Sequence, residues 1–168
     1  MNSEQLLYEL SNNLANSLKK QGKTITCTES CTGGWIAKVM TDISGSSAYF
    51  QRGFVIYSHE AKHDMLGVSK NTLHKYGAVS EQVVIEMAER ALASANADFA
   101  VSVSGIAGPD GGTDEKPVGT VWFGFASKSL SVARIVTRCF LFKGDCIQIR
   151  RQAVRFSLTT LMKGIIKN

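Results

Sequence analysis

The stretch Thr24-Ile25-Thr26-Cys27-Thr28-Glu29-Ser30-Cys31-Thr32-Gly33-Gly34 decides how this chain is read. Its first part is rich in β-branched residues and predicts a strand over Lys23 to Thr28. Trp35 to Met40 is apolar at helical spacing and predicts a helix from about Gly33 to Asp42. Between them a hydroxyl, a thiol and a second hydroxyl occupy a strand-to-helix turn. The two glycines let the backbone come close to a ligand. The first amides of a helix have no partner within it, so the turn suits an anion site or a nucleophile beside an oxyanion hole. The bland alternative is a Gly-rich bend between strand and helix.

Upstream, Glu4 to Lys20 sets Leu7, Leu10, Leu14 and Leu18 on one helical face, with Ser3 as cap and Gly22 past the end. Downstream, Ser44 to Phe50 is a small-residue loop, and Gly53 to Tyr57 predicts a buried strand. Ser58 caps a short helix from His59 to Leu66. A second short helix runs from Ser69 to Tyr76, and Ser80 caps a longer one from Glu81 to Ala95. The inner stripe of that longer helix is Val84, Met87, Ala88 and Ala91. Asp98 to Ser104 is a mostly apolar strand expected at the centre of a sheet. Val118 to Ala126 and Val132 to Phe142 are strands joined by the short link Ser127 to Ser131, which favours an antiparallel pair. Asp145, with Gln148 three residues on, opens a last helix to about Met162 by a capping-box pattern. Early alternation of helix and strand with a late hairpin predicts a three-layer α/β/α fold. Its sheet is mixed and mostly parallel, closed by the antiparallel hairpin. The 168 residues read as one domain, with no repeat and no linker.

Composition excludes some function classes. No apolar run reaches the length of a membrane span, and the start MNSEQLLYELSNN lacks a signal pattern, so the expectation is a cytoplasmic protein without a membrane partner. The net charge of +5 is uneven: residues 1–127 hold 10 Lys/Arg against 13 Asp/Glu, and residues 128–168 hold 9 against Asp145 alone. A basic last quarter suits an anionic small molecule or nucleic acid. No aromatic-rich RNA signature, zinc finger or heptad accompanies it, which leaves a solvated basic face or a small anion ahead of nucleic acid. Cys27, Cys31, Cys139 and Cys146 match no zinc spacing and read as free thiols in a reducing compartment. Cys27 and Cys139, in apolar strand-like runs, read as core, whereas Cys31 in the turn is a rival nucleophile.

Three further motifs compete. His59-Glu60-Ala61-Lys62-His63 fits the zinc pattern H-E-x-x-H, but the helix begins at the first His and the third ligand is missing at one familiar spacing. Glu81 and Glu86 are the carboxylates available to complete such a site. Gly105 to Gly112 is a Gly-rich loop after a central strand, where α/β proteins bind ligands, yet it is neither a P-loop nor a dinucleotide fingerprint. Tyr57 and Lys62 are candidates for proton transfer, provided burial lowers the lysine enough for it to act as a base.

These residues resemble the CinA C-terminal-domain family. The matching stretches are TESCTGGW at 28–35, SGSSAYF at 44–50, YSHEAK at 57–62, LGV at 66–68, GAVSE at 77–81, SGIAGPDGG at 104–112 and EKPVGTVWF at 115–123. The resemblance implies a pyridine-nucleotide substrate and hydrolysis of the carboxamide of nicotinamide mononucleotide to nicotinate mononucleotide and ammonia. It also implies no cofactor, no metal, and a homodimer. Ser30 falls where the family has its nucleophile, and Tyr57, Lys62 and Ser104 where it has supporting polar groups. Thr32, Gly33, Gly34, Gly105 and Gly108 are then expected to line the substrate. Two positions depart from the family pattern. His59 replaces the usual Asn, which makes H-E-x-x-H a coincidence. Cys146 replaces an Arg after Gly144-Asp145, and Arg150 or Arg151, one turn on, is the substitute for phosphate. The alternatives are a nucleotide-binding module that has lost turnover and, behind it, a nucleic-acid-associated protein.

Overall fold

The computed structural model describes residues 1–128, 130 and 133–166. Its elements are α1 (Ser3–Gln21), β1 (Ile25–Glu29), α2 (Trp35–Thr41), β2 (Phe50–Val55), α3 (His59–Leu66), α4 (Lys70–Tyr76), α5 (Glu81–Ala95), β3 (Phe99–Gly105), β4 (Thr120–Ser127), β5 (Arg134–Leu141) and α6 (Cys146–Ile166). The strands form one sheet in the order β2-β1-β3-β4-β5. β1 pairs in parallel with β2 and β3, while β4 pairs antiparallel with β3 and β5. Four of the five strands therefore run in one direction, as the pattern of elements predicts. The hairpin does not close the sheet: it ends it, with β5 at one open edge and β2 at the other.

The layers follow from side-chain size along the central strands. On β3, Phe99, Val101 and Val103 enter the large core shared with α1, α2 and α6, where Leu7, Leu14, Leu18, Ile149, Val154 and Leu158 pack. The alternate residues Ala100, Ser102 and Ser104 face α5 and are small. Gly124, opposite Ser102, completes that smooth surface: a β-carbon there would sit 2.6 Å from the carbonyl of Val84 on α5. Period-two alternation thus sends bulk to one side and close approach to the other. A second apolar cluster, Ile56, Leu66, Val68, Leu73, Val83 and Met87, fastens α3 and α4 to α5.

Local signals place most ends. Ser58, Ser69 and Ser80 cap α3, α4 and α5 through their hydroxyls, and Asp145 and Gln148 exchange reciprocal 2.8 Å bonds at the start of α6. The α1 cap is Asn2 and not Ser3, because the Asn2 side chain accepts from Gln5 N. α2 begins at Trp35, two residues later than the apolar spacing suggests, because Gly33 and Gly34 take φ of 60° and 95°. Two burial expectations fail for one reason. Of the run Gly53 to Tyr57, the strand part ends at Val55 and is largely exposed at an edge while Ile56 beyond it is buried, and Cys139 is exposed on β5. Both runs are apolar enough for a core, but strand order puts them at the rims. Val132, the expected start of the last strand, and Ser129 and Ser131 of the link lie outside the described residues.

Candidate active site

β1 lies between β2 and β3 and is fully buried. Alternation turns Ile25, Cys27 and Glu29 toward α2 and α6, and Thr26, Thr28 and then Ser30 toward the α3–α5 layer. Ser30 is fixed by its own backbone. Its amide donates to Val103 O at 3.0 Å, and its carbonyl accepts from Gly33 N at 3.0 Å. The turn that follows needs two left-handed residues, and glycine supplies both without steric cost.

Lys62 meets Ser30 from α3. Its side chain is 1% exposed, and Nζ lies 3.1 Å from Ser30 Oγ, 3.2 Å from Ile56 O and 3.2 Å from Tyr57 O. No carboxylate pairs with it among the described residues. Burial lowers the amine from its ordinary 10.5, with only Cys31 pulling the other way. The neutral amine fits these three partners well. As protonated, Nζ donates to all three oxygens; once the amine loses its proton, two hydrogens serve the two carbonyls and a lone pair is left facing the Ser30 hydroxyl. A buried Lys without a counter-charge is costly to keep in a core.

Cys31 follows Ser30 in the turn. It is buried, and its thiol is pushed up to about 12, chiefly by desolvation. Tyr57 accepts from Lys62 Nζ through its carbonyl, and the residue is 72% exposed at the wall of the cleft. Ser104 is buried and donates to Ala78 O at 2.8 Å. Thr32 is buried with its Oγ1 unpartnered, and its carbonyl accepts from Trp35 N and from Arg150 Nη2 at 3.0 Å.

A cleft of about 260 Å³ opens beside this pair. Its walls are Cys31 and Tyr57, the Gly105 to Gly111 loop including Gly108 and Asp110, and Cys146 and Arg150 of α6. Gly105 and Gly108 let that loop fold tightly on its neighbours. A β-carbon would stand 2.8 Å from Thr120 O at Gly105, and 2.5 Å from Val118 Cγ1 at Gly108. Arg150 reaches the cleft and its guanidinium carbon lies 5.9 Å from the centre of the Trp35 ring. Arg151 packs on the same ring but faces Lys143, Gln148 and Gln152, so it stays outside the cleft. A larger hollow of about 630 Å³ lies at the other end of the sheet, lined by Lys23, Asp98, Lys128 and Arg134, far from Ser30.

The H-E-x-x-H match dissolves in three dimensions. His59 is exposed at the first position of α3, and His63 Nδ1 sits 2.9 Å from Val68 O. The Lys62 within the motif is the residue that turns inward. Glu86 is engaged with Ser69 N and Thr72 Oγ1, and Glu81 with Thr137 Oγ1. Among the described residues no three His, Cys, Asp or Glu side chains cluster closely enough to hold a metal.

The turn also holds a residue that the sequence reading passed over. Glu29 is fully buried, and its two oxygens accept from the amides of Ile36 at 3.0 Å and Ala37 at 2.9 Å. The first amides of α2 are therefore not free for a ligand, contrary to expectation. Of the amides in the turn, those of Cys31, Thr32 and Gly34 donate to no backbone carbonyl among the described residues. The available signal was an acid ending an otherwise hydroxyl-rich and apolar strand.

Fold and site together define an α/β domain with a buried serine–lysine pair directly behind Cys31 and Tyr57, which line a cleft that the pair itself does not line. The CinA C-terminal domain family model matches residues 7–165, and the chain belongs to that family. It is 60% identical over 166 residues to the nicotinamide-nucleotide amidohydrolase PncC of Enterobacter agglomerans, covering 99% of each chain. It is 56% identical over 162 residues to the protein of that name from Escherichia coli K12, covering 96% of each. A crystal structure of a competence-damaged protein (CinA) superfamily protein from Klebsiella pneumoniae superposes with a TM-score of 0.91 at 38% identity, over 100% of both chains.

Proposed function

We propose that this chain is a nicotinamide-nucleotide amidase, with nicotinamide mononucleotide as substrate and nicotinate mononucleotide and ammonia as products. The observation that carries the mechanism is the 3.1 Å approach of a buried Lys62 amine to Ser30 Oγ. Ser30 Oγ attacks the carboxamide carbon while its proton passes to Lys62 Nζ. The resulting oxyanion is met by free amides of the turn 31–34, each such donor worth about 3 kcal/mol. The carbon–nitrogen bond then breaks, and Lys62 returns the proton to the leaving nitrogen as ammonia. Water enters the acyl-serine, Lys62 takes its proton, and collapse frees the carboxylate and restores the Ser30 hydroxyl. Arg150 offers a charged donor for the phosphate at the other wall of the cleft, in place of the Arg that Cys146 lacks. The Gly105 to Gly111 loop between them is the surface for the ribose.

The assay is ammonia release from purified protein and nicotinamide mononucleotide. Release that depends on Ser30, and is lost in Ser30→Ala, is the expected result. Equal release by both proteins overturns the nucleophile, and nucleotide binding without release favours the non-catalytic alternative. A single-domain homodimer in the cytoplasm belongs to the same reading. Four free cysteines favour a reducing compartment, and no described helix is long and apolar enough to cross a membrane. Sedimentation and cell fractionation test these two points.

A further inference from the structure

The geometry points to Glu29 as a positioning residue for the serine–lysine reaction: its carboxylate clips the start of α2 to the end of β1 and thereby fixes Ser30 against Lys62. This rests on the roles proposed above for Ser30 and Lys62.

α2 cannot cap itself, because its N-cap is Gly34, which has no side chain to accept an amide hydrogen. Glu29 supplies both acceptors from behind, one oxygen to Ile36 N and the other to Ala37 N. The carboxylate takes part in no ion pair among the described residues, so these amides are what hold it in the core. The bridge spans the turn that carries Ser30. With the Ser30 amide on Val103 O, both ends of the turn are pinned to rigid elements. A hydroxyl held so closely keeps the 3.1 Å contact without reorganisation at each turnover.

The same carboxylate meets one thiol directly and pins the turn that carries another. Cys27 Sγ donates to Glu29 Oε1 at 3.5 Å, and Cys31 follows Ser30 directly. Burial chiefly raises both thiols; the Glu29 charge adds to this at Cys27, whereas at Cys31 it comes after the opposing pull of that residue's own amide and of Arg150. Cys31 is buried within the turn that Glu29 pins, so loosening that turn also bares its thiol.

The test compares wild type, Glu29→Gln and Glu29→Asp on nicotinamide mononucleotide, with Ser30→Ala as control. It adds iodoacetamide labelling of Cys31, read by peptide mass spectrometry against exposed Cys139. Glu29→Gln is expected to lower kcat about a hundredfold, the cost of a small misplacement, with KM within about threefold. Cys31 labelling should rise relative to Cys139. Glu29→Asp keeps the charge, recovers part of kcat and leaves Cys31 slow to label. If the Gln variant does not fold, the kcat loss at constant KM in Glu29→Asp carries the same test. A kcat equal to wild type in the folded variant, or a loss confined to KM or to thermal stability, overturns the proposal. If Ser30→Ala still releases ammonia, the underlying assignment of the nucleophile fails instead.

Discussion

The guanidinium of Arg150 donates to the carbonyl of Thr32 at 3.0 Å, tying the last helix to the turn that carries Ser30. One nitrogen is thus committed to the protein, while the residue still lines the cleft. Helix α6 brings its cation to the Ser30 turn through tertiary packing that no local pattern reveals.

Replacing Arg150 by Gln should raise KM for nicotinamide mononucleotide about 10- to 100-fold, the worth of roughly 1.5–3 kcal/mol for hydrogen bonds to a charged group. Nicotinamide riboside, which has no phosphate, separates the two duties of this side chain. Its KM should change much less than that of the nucleotide. Equal changes for both substrates would assign Arg150 to the turn alone.

Lys62 sets the pH dependence. Burial lowers its amine below the ordinary 10.5, so kcat/KM should rise with pH along a limb centred below that value. Between the lowered value and 10.5 the unfolded chain binds more protons than the folded one, and stability therefore rises with pH across that window. Lys62→Met should abolish turnover and flatten this rise. Denaturant melts at several pH values, alongside a pH–rate profile, measure both. A variant with the slope of wild type would show that Lys62 titrates normally.

Cys31→Ala should keep kcat within about threefold of wild type and cost about 1 kcal/mol of stability, as for an ordinary buried substitution. A collapse of turnover equal to that of Ser30→Ala would transfer the nucleophile to sulfur.

Gly33 and Gly22 form a matched pair for testing the turn. Both have φ close to 60°, but a β-carbon at Gly33 would stand 2.7 Å from Arg150 Nη2, whereas at Gly22 nothing lies within 4 Å. Each Ala substitution should cost about 1–2 kcal/mol in backbone strain. Only Gly33→Ala should also raise KM for the nucleotide, by displacing Arg150. Equal KM values for the two variants would remove Arg150 from substrate binding.

What the sequence makes legible here is what is local. Ser80 before Glu81, and Asp145 three residues ahead of Gln148, specify helix starts through contacts within one turn of chain, and the structure has both. The alternation in Asp98 to Ser104 is likewise enough to place a central strand. The exposure of Cys139 and of Gly53 to Val55 was not legible, because being at a rim depends on strand order, which neighbours in sequence do not encode. Lys62 stands out in sequence as a candidate for proton transfer, and family resemblance picks Ser30 from the hydroxyls and thiol of the turn, but their contact spans 32 residues. Glu29 was missed because its work lies in reaching amides seven and eight positions away across a turn. Arg150 and Arg151 were indistinguishable as adjacent letters, and helix phase separates them.

Apart from Ser30, the partners of Lys62 Nζ are peptide oxygens, those of residues 56 and 57. Ordinary point substitution does not delete a peptide oxygen. The electronic setting of the base is therefore insulated from drift at position 57, whose ring points outward at the rim of the cleft. Natural variation or directed evolution can rework the cleft entrance at that position, and with it the choice among pyridine compounds, while the proton-transfer machinery behind it stays unaltered.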